Sequence, residues 1–253
     1  MTIEQTKNML KSVQVSELPG IISRIEQEND SRVGIKKLLE FYKKWYNNYI
    51  EEGKRLESML FFEKQYYGEY EYICGVDEAG CGPLAGPVVA AAVVLPKNCT
   101  IEKLKDSKKL SAKRREELYE IIIEKAVGYA IAEIGYLQID EMNILNARLA
   151  AMGDAVMQLG IADFALIDGL RQPTGINIEC AMIANGDSLS MSIAAASVLA
   201  KVHRDKIMLK YADKFPDYGF ERHKGYGTLE HMTALQNFGA TPIHRKTFIR
   251  GLI

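Results

Sequence analysis

The chain has 253 residues, 47% of them hydrophobic and 26% charged, with a formal net charge of −1. These proportions exclude a disordered chain and fit one large domain, or one domain with a smaller attachment. The near-neutral total hides a gradient, because residues 71–200 hold 11 Lys or Arg against 17 Asp or Glu, whereas residues 201–253 hold 10 against 5 and all four histidines. An acidic metal-binding cleft beside a basic polyanion-binding surface would give that division, and so would charges scattered over solvated faces.

Residues 1–69 read as a helical accessory region. Leu38, Leu39, Phe41, Tyr42, Trp45 and Tyr46 recur at spacings that form an apolar stripe on a helix, which predicts aromatics packed inward. Lys36, Lys37, Lys43 and Lys44 are left open as contacts to phosphate. From Tyr72 the texture changes. YICGVD and GPVVAAAVVLP read as adjacent antiparallel strands joined by a glycine-rich turn. SAKRREELYEIIIEKA is a helix with Ser111 as N-cap, and VGYAIAEIGY is a strand. IDEMNILNARLAAMGDAVMQLG reads as one amphipathic helix whose Met and Leu stripe is core. ADFALIDG is a strand ending at Asp168, INIECAMI a shorter strand, and MSIAAASVLAKVHRDKIMLKYADKF a long helix. Strands first, then strands alternating with helices, predict a mixed sheet covered by helices.

Several chemistries are excluded by spacing. GCGPLAG lacks the G-x-G-x-x-G pattern and feeds a strand, and no Gly-Lys-Ser/Thr closes it as a phosphate loop. The histidines His203, His223, His231 and His244 form no H-E-x-x-H set, and there is no G-x-S-x-G elbow. Cys74, Cys81, Cys99 and Cys180 include no closely spaced pair, so neither structural zinc nor a disulfide framework is expected. The first residues, MTIEQTKNMLKSVQ, lack the apolar stretch of a signal peptide, and VVAAAVVL is too short to span a bilayer. A reducing cytoplasmic setting is the default expectation.

Acids remain. Asp77, Glu78 and Asp168 sit where predicted strands end, and Asp187 lies in IANGDSLS before the long helix. Gathered carboxylates repel one another and stay ionised only with compensation, which hard divalent ions supply. Two ions about 3.5–4 Å apart suit phosphodiester hydrolysis. Because neighbours on a regular strand point to opposite faces, the reading ends the strand at Asp77 and turns through Ala79-Gly80, so that Glu78 swings back. Any one such acid is commonly a solvated strand end; the set is stronger, since Asp77 and Asp168 both follow apolar runs and precede turns. Asp106, Asp140 and Glu141 are assigned to loop, cap or solvent positions.

VDEAGCGPLAGPV, DSKKLS, the Asp168–Gly169 pair, GDSLSMSIAAASVLAKVHRD, and HKGYGT through TPIHRKTF occur in an order that resembles the type 2 ribonucleases H, from about Ile73 to Phe248. The resemblance implies an α/β ribonuclease H-like fold, a mixed sheet flanked by helices: a catalytic domain over residues 70–215 and a helical, substrate-contacting C-terminal region over 216–253. Residues 1–69 resemble the extension of some bacterial members. The implied activity is endonucleolytic cleavage of the RNA strand of RNA–DNA hybrids and incision 5′ to single ribonucleotides in duplex DNA, giving 5′-phosphate and 3′-hydroxyl ends. Asp77, Glu78, Asp168 and Asp187 are the implied catalytic metal-binding acids, with Mg²⁺ or Mn²⁺ as cofactor and two ions when substrate is bound. A cytoplasmic monomer is expected.

Glycine leaves the backbone of Gly80, Cys81 and Gly82 open to a ribose 2′-hydroxyl, and Tyr226 resembles the tyrosine that packs on the following deoxynucleotide sugar. Lys108, Lys109, Lys201, Arg204, Lys224, Arg245 and Lys246 are candidate phosphate contacts, and Ser190 is either a cap or a substrate contact. Ser107 and Ser111 could likewise cap a helix or touch phosphate. Cys81 departs from the family's Gly-Arg-Gly, and a thiol cannot replace the donors of arginine. Backbone reading of the 2′-hydroxyl predicts retained specificity with weaker binding. Two alternatives stand beside this reading: a type 3-like ribonuclease H acting mainly on continuous hybrids, and a catalytically weak duplex-binding protein.

Overall fold

Three helices, α1 (Ile3–Ser12), α2 (Leu18–Gln27) and α3 (Val33–Ser58), dominate the N-terminal part of the computed structural model, which describes residues 1–28 and 32–252. The chain divides into two units, Met1–Glu57 and Ser58–Ile253. In the first, Thr2 accepts from the Gln5 backbone while the Gln5 side chain accepts from that of Thr2, a reciprocal cap that starts α1. Leu10, Leu18, Ile22, Ile25, Ile35, Leu39 and Tyr42 form its core. The expectation of an inward aromatic stripe is corrected here. Ile35, Leu39, Tyr42 and Tyr46 follow the helical repeat onto the core face, and Phe41 (63% exposed) and Trp45 (42% exposed) fall on the neighbouring arc in solvent.

Residues 58–69, assigned by sequence to the accessory region, fold with the larger unit. Their helix α4 (Phe61–Tyr66) carries Tyr66, which stacks on Phe164 at 4.2 Å between ring centroids. The chain then enters a five-stranded sheet made of β1 (Ile73–Ala79), β2 (Val88–Val94), β3 (Gly128–Ile134), β4 (Phe164–Asp168) and β5 (Glu179–Ile183), in the order β3-β2-β1-β4-β5. β1 runs antiparallel to β2 and β2 to β3, whereas β4 is parallel to both β1 and β5. This is the mixed sheet that strands followed by β-α alternation require.

β2, VVAAAVV, is buried along its whole length, as befits small and β-branched side chains with a helix layer on either face. Val88, Ala90, Ala92 and Val94 join one core with Ala147, Ala151, Met152, Ala155 and Val156 of α7 (Ile144–Leu159). α7 does not continue from α6 (Tyr136–Met142) as one helix: Asn143 takes φ 66° and its side chain accepts from the Asn146 backbone, so it stops one helix and caps the next. α5 (Ala112–Lys125), capped by Ser111, lies between β2 and β3 in sequence. The other face is covered by α9 (Met191–Lys214), entered through the single turn α8 (Gly186–Leu189). The first ten residues of α9, Met191 to Ala200, are all buried, and most are small, so the helix approaches the sheet closely. The C-terminal region packs α10 (Phe220–His223), α11 (Leu229–Phe238) and α12 (Lys246–Ile249) around Phe220, Leu235, Ile243 and Ile249. Among the described residues no helix is long and apolar enough to cross a membrane.

Candidate active site

β1 does not end at Asp77, as the sequence reading had it. It stays paired with β2 through Ala79, but its pairing with β4 stops at Val76 and Ile167, because β4 ends at Asp168. The flank of β1 beyond Val76 is therefore open. The Glu78 backbone N–H donates to Asp77 Oδ1 at 2.7 Å. Asp77 departs toward α9 and Glu78 toward α7, and both reach round the open flank to Asp168. One carboxylate oxygen from each of Asp77, Glu78 and Asp168 lies within 4.8 Å of the others. The convergence comes from a strand that stops short beside one that continues.

Each acid is held by its own element. Ser197 of α9 stands beside Asp77, where its hydroxyl favours the charged acid, and lies 2.9 Å from Ser107, which ties the DSKKL segment to the floor of the site. Asp168 Oδ1 accepts from the Gly186 backbone at 2.7 Å, so the start of α8 is pinned to the end of β4. Asp187, the next residue, is buried but stands apart from the group of three. Its carboxyl lies beside that of Asp106 and 3.9 Å from Lys108 Nζ.

Burial sets the electrostatics. It raises the carboxyl of Asp77 well above the ordinary range, reinforced by repulsion from Glu78 and Asp168. Glu78 is also raised by burial, against the opposing pull of Arg148 and a hydrogen bond from Cys81. Asp187 is raised by burial and by repulsion from Asp106 and Asp168. Desolvation works against the charge of Lys108, but Asp77, Asp187, Asp106 and Asp168 together raise its pKa on balance. A site that so disfavours its own negative charge asks for a cation.

The donor set fits a hard divalent ion. Three carboxylates converge, and Glu78 Oε2 is buried with no hydrogen-bond partner among the described residues. An oxygen left unpaired in that position carries the full desolvation cost unless a ligand completes it.

Beside the acids lies the glycine-rich turn. Gly80 takes φ 99°, and a methyl group there would meet Arg204 Nε at 2.2 Å and the Pro87 carbonyl at 2.8 Å. Arg204 is fully buried and donates to the carbonyls of Pro87, Lys224 and Ala85 at 3.0, 3.0 and 3.1 Å. Arg245, also fully buried, donates to the carbonyls of Gly86, Cys81 and Gly80 at 3.0, 3.0 and 2.6 Å. The expectation that these two arginines meet phosphate is corrected: their donors are spent on the turn. With the Gly80 and Cys81 carbonyls pulled inward, trans peptides aim the N–H groups of Cys81 and Gly82 the opposite way.

The other expected contacts divide. Ser190 is fully buried, caps α9 and donates to Glu63 Oε1 at 2.6 Å, so it is a cap and not a substrate contact. Ser107 is likewise buried. Lys201 pairs with Asp205 at 2.6 Å, and Lys224, at φ 52°, sends its ammonium to the Glu221 carbonyl. Lys108 and Lys109 remain largely exposed beside the acids, with Lys109 3.5 Å from Asp106. Lys246 starts α12, and its backbone N–H donates to Asp140 at 2.8 Å. The exposed ring of Tyr226 stands over Gly82, 3.8 Å from where a side chain would begin, with Lys201 Nζ 5.9 Å from the ring centre.

Two residues of the site were missed in the sequence. Arg148 places Nε 3.0 Å from Glu78 Oε1 and donates through Nη2 to the Asp168 carbonyl at 3.1 Å. Its signal was present: it is the one charged residue in the stretch ILNARLAAMG. Asp106 was assigned to a loop, and it does cap the short turn at Ser107, accepting from the Lys108 backbone at 2.9 Å. It also lies against Asp187, a pairing no spacing rule discloses.

A ribonuclease H-like sheet with carboxylates gathered at the ends of its two central strands defines a divalent-metal-dependent nuclease. The ribonuclease HII family model matches residues 74–251, and the model of the ribonuclease HII N-terminal domain matches residues 2–67. The chain is 47% identical to ribonuclease HII of Ruminiclostridium cellulolyticum, with 100% of this chain and 98% of that protein covered. It is 44% identical to ribonuclease HII of Clostridioides difficile over the same shares. The crystal structure of ribonuclease H2 from Pyrococcus horikoshii matches with a TM-score of 0.60 at 27% identity, covering 72% of this chain and 97% of that one. The chain belongs to the ribonuclease HII family. It is a divalent-metal-dependent endoribonuclease that acts on RNA–DNA hybrids and on ribonucleotides embedded in duplex DNA.

Proposed function

We propose that the enzyme incises on the 5′ side of a ribonucleotide, leaving 5′-phosphate and 3′-hydroxyl ends, with Asp77, Glu78 and Asp168 as the carboxylates that hold the divalent ions. The carrying observation is the meeting of those three acids, with Glu78 Oε2 buried and without a hydrogen-bond partner among the described residues. Bound there, a pair of divalent ions supplies Lewis-acid charge at the phosphate and lowers the pKa of the attacking water. Asp77, held by the Glu78 backbone with Ser197 beside it, sets the position of the phosphate over β1. Asp187, one step out against Asp106 and Lys108, completes a second ion position or orients water.

Selection of ribose falls to the turn. The outward N–H groups of Cys81 and Gly82 are suited to a 2′-hydroxyl, which DNA lacks, and the Tyr226 ring above Gly82 packs on the neighbouring deoxyribose. Lys108, Lys109 and Lys201 offer charge to the backbone; Lys224 supplies its carbonyl to Arg204 and so supports the turn. Residues 70–215 carry the chemistry and 216–253 frame the substrate. The protein acts as a monomer in the cytoplasm.

The test is cleavage of a duplex with one labelled ribonucleotide, with Mg²⁺, with Mn²⁺ and with chelator, mapping the cut and its end groups. Incision 5′ to the ribonucleotide, lost in chelator, is expected. Cleavage confined to continuous hybrids would favour the type 3-like alternative, and metal-insensitive binding without nicking would refute the hydrolytic reading.

A further inference from the structure

Arg148 sits among the carboxylates that would hold the metal. Its Nε lies 3.0 Å from Glu78 Oε1, and its Nη2 4.0 Å from Asp168 Oδ2 and 3.1 Å from the Asp168 carbonyl. The backbone makes room for it: Gly169 takes φ 106°, and a methyl group there would stand 2.7 Å from Nη2. Yet the guanidinium is not locked onto Glu78. Nε, although at ion-pair distance, is not aligned for a hydrogen bond, and Glu78 Oε2 has no partner among the described residues. A bidentate fork would be a permanent strut. This arginine is tethered through one backbone carbonyl and held to the acids by charge.

We propose that Arg148 is a built-in counter-cation of the metal site, which steadies Glu78 and Asp168 in the metal-free enzyme and competes with a divalent ion for Glu78. The proposal rests on the metal reading of the acids. It follows from Coulomb's law in a partly buried site: a fixed positive charge beside two of three ligands stabilises them when alone and opposes the arrival of a doubly charged ion. The same residue therefore lowers metal affinity and raises metal-free stability.

Mn²⁺ titration by calorimetry, with no nucleic acid, on the full chain and on R148Q and R148K tests it, together with melting in chelator and in Mn²⁺. R148Q is expected to bind Mn²⁺ about tenfold more tightly, with R148K close to wild type. R148Q should also melt lower in chelator, the gap closing as Mn²⁺ is added. Equal or weaker Mn²⁺ binding by folded R148Q overturns the proposal and leaves the metal site standing; so does R148K behaving like R148Q. No Mn²⁺ binding by the wild type overturns both, and D77N, which should bind Mn²⁺ weakly, distinguishes the cases.

Discussion

Gly75 of β1 lies against the first turn of α9 so closely that a methyl group on it would stand 2.1 Å from the carbonyl carbon of Ser192. Both partners are backbone, so neither can yield by rotating a side chain. The same contact sets the depth at which Ser197, farther along α9, reaches Asp77. Gly75→Ala should therefore cost about 3 kcal/mol or more and lower turnover in whatever fraction still folds. Urea unfolding beside single-turnover cleavage measures both; a variant of wild-type stability would show that the close approach is dispensable.

Asp77→Asn separates chemistry from folding. The substitution removes a buried carboxyl whose charge is disfavoured by burial and by Glu78 and Asp168. Turnover should fall by about a thousandfold or more, while duplex affinity is largely kept. In chelator the variant should melt above the wild type, because an amide relieves repulsion that no ion is present to offset. Persistent multiple turnover, or a lower melting temperature in chelator, would contradict this assignment.

Arg204→Lys tests the frame of the recognition turn. Lysine can satisfy at most part of what the guanidinium gives to Pro87, Lys224 and Ala85. The expected cost is about 3 kcal/mol, with selectivity for a single ribonucleotide lost before general cleavage of hybrids. Denaturant curves and the ratio of rates on the two substrates report it; an unchanged ratio would place the turn outside recognition.

Acid should loosen the C-terminal region. His231 Nε2 and His244 Nε2 lie 2.9 Å apart, and burial together with the charge of His231 pulls His244 down to about 4. Its unfolded value is near 6.5, so the unfolded chain binds the extra proton first. The stability this group contributes is present above pH 6.5 and is lost as pH falls from there toward 4. Melting temperature should drop across that window, and His244→Gln should flatten the slope. Equal slopes would rule out this histidine as the source.

Cys81 stands where the resemblance drawn from the sequence implies arginine. Burial and the nearby Glu78 push its thiol up to about 12, so it enters binding as a neutral group. Cys81→Arg should tighten binding to a duplex with one ribonucleotide and steepen the dependence of log affinity on log salt by about one. Fluorescence anisotropy over a salt series checks it, and parallel lines for the two proteins would deny the arginine a phosphate contact.

How much of this was legible beforehand depends on range. Apolar runs ending in Asp77 and Asp168 marked two strand ends, and the stretch from Met191 to Phe215 marked a long helix; both are local patterns. Where the flank of β1 opens was not local. It depends on the length of β4, some ninety residues away, while β1 itself stays paired with β2 through Ala79, two residues beyond the end read from the sequence. Arg204 and Arg245 looked like surface cations because charge is seldom buried. Only the fold reveals the ring of carbonyls that makes burying them favourable. Asn143, by contrast, was readable as a cap and was passed over because the apolar repeat continues through it.

Two sequestered guanidiniums also decide how the protein meets salt. Arg204 and Arg245 hold the turn from Gly80 to Pro87 from beneath, out of reach of mobile ions, while Lys108 and Lys109 face the solvent. Raising ionic strength should thus strip the duplex away without deforming the surface it leaves. Dilution would restore a reader already in shape, with no folding step between release and the next encounter.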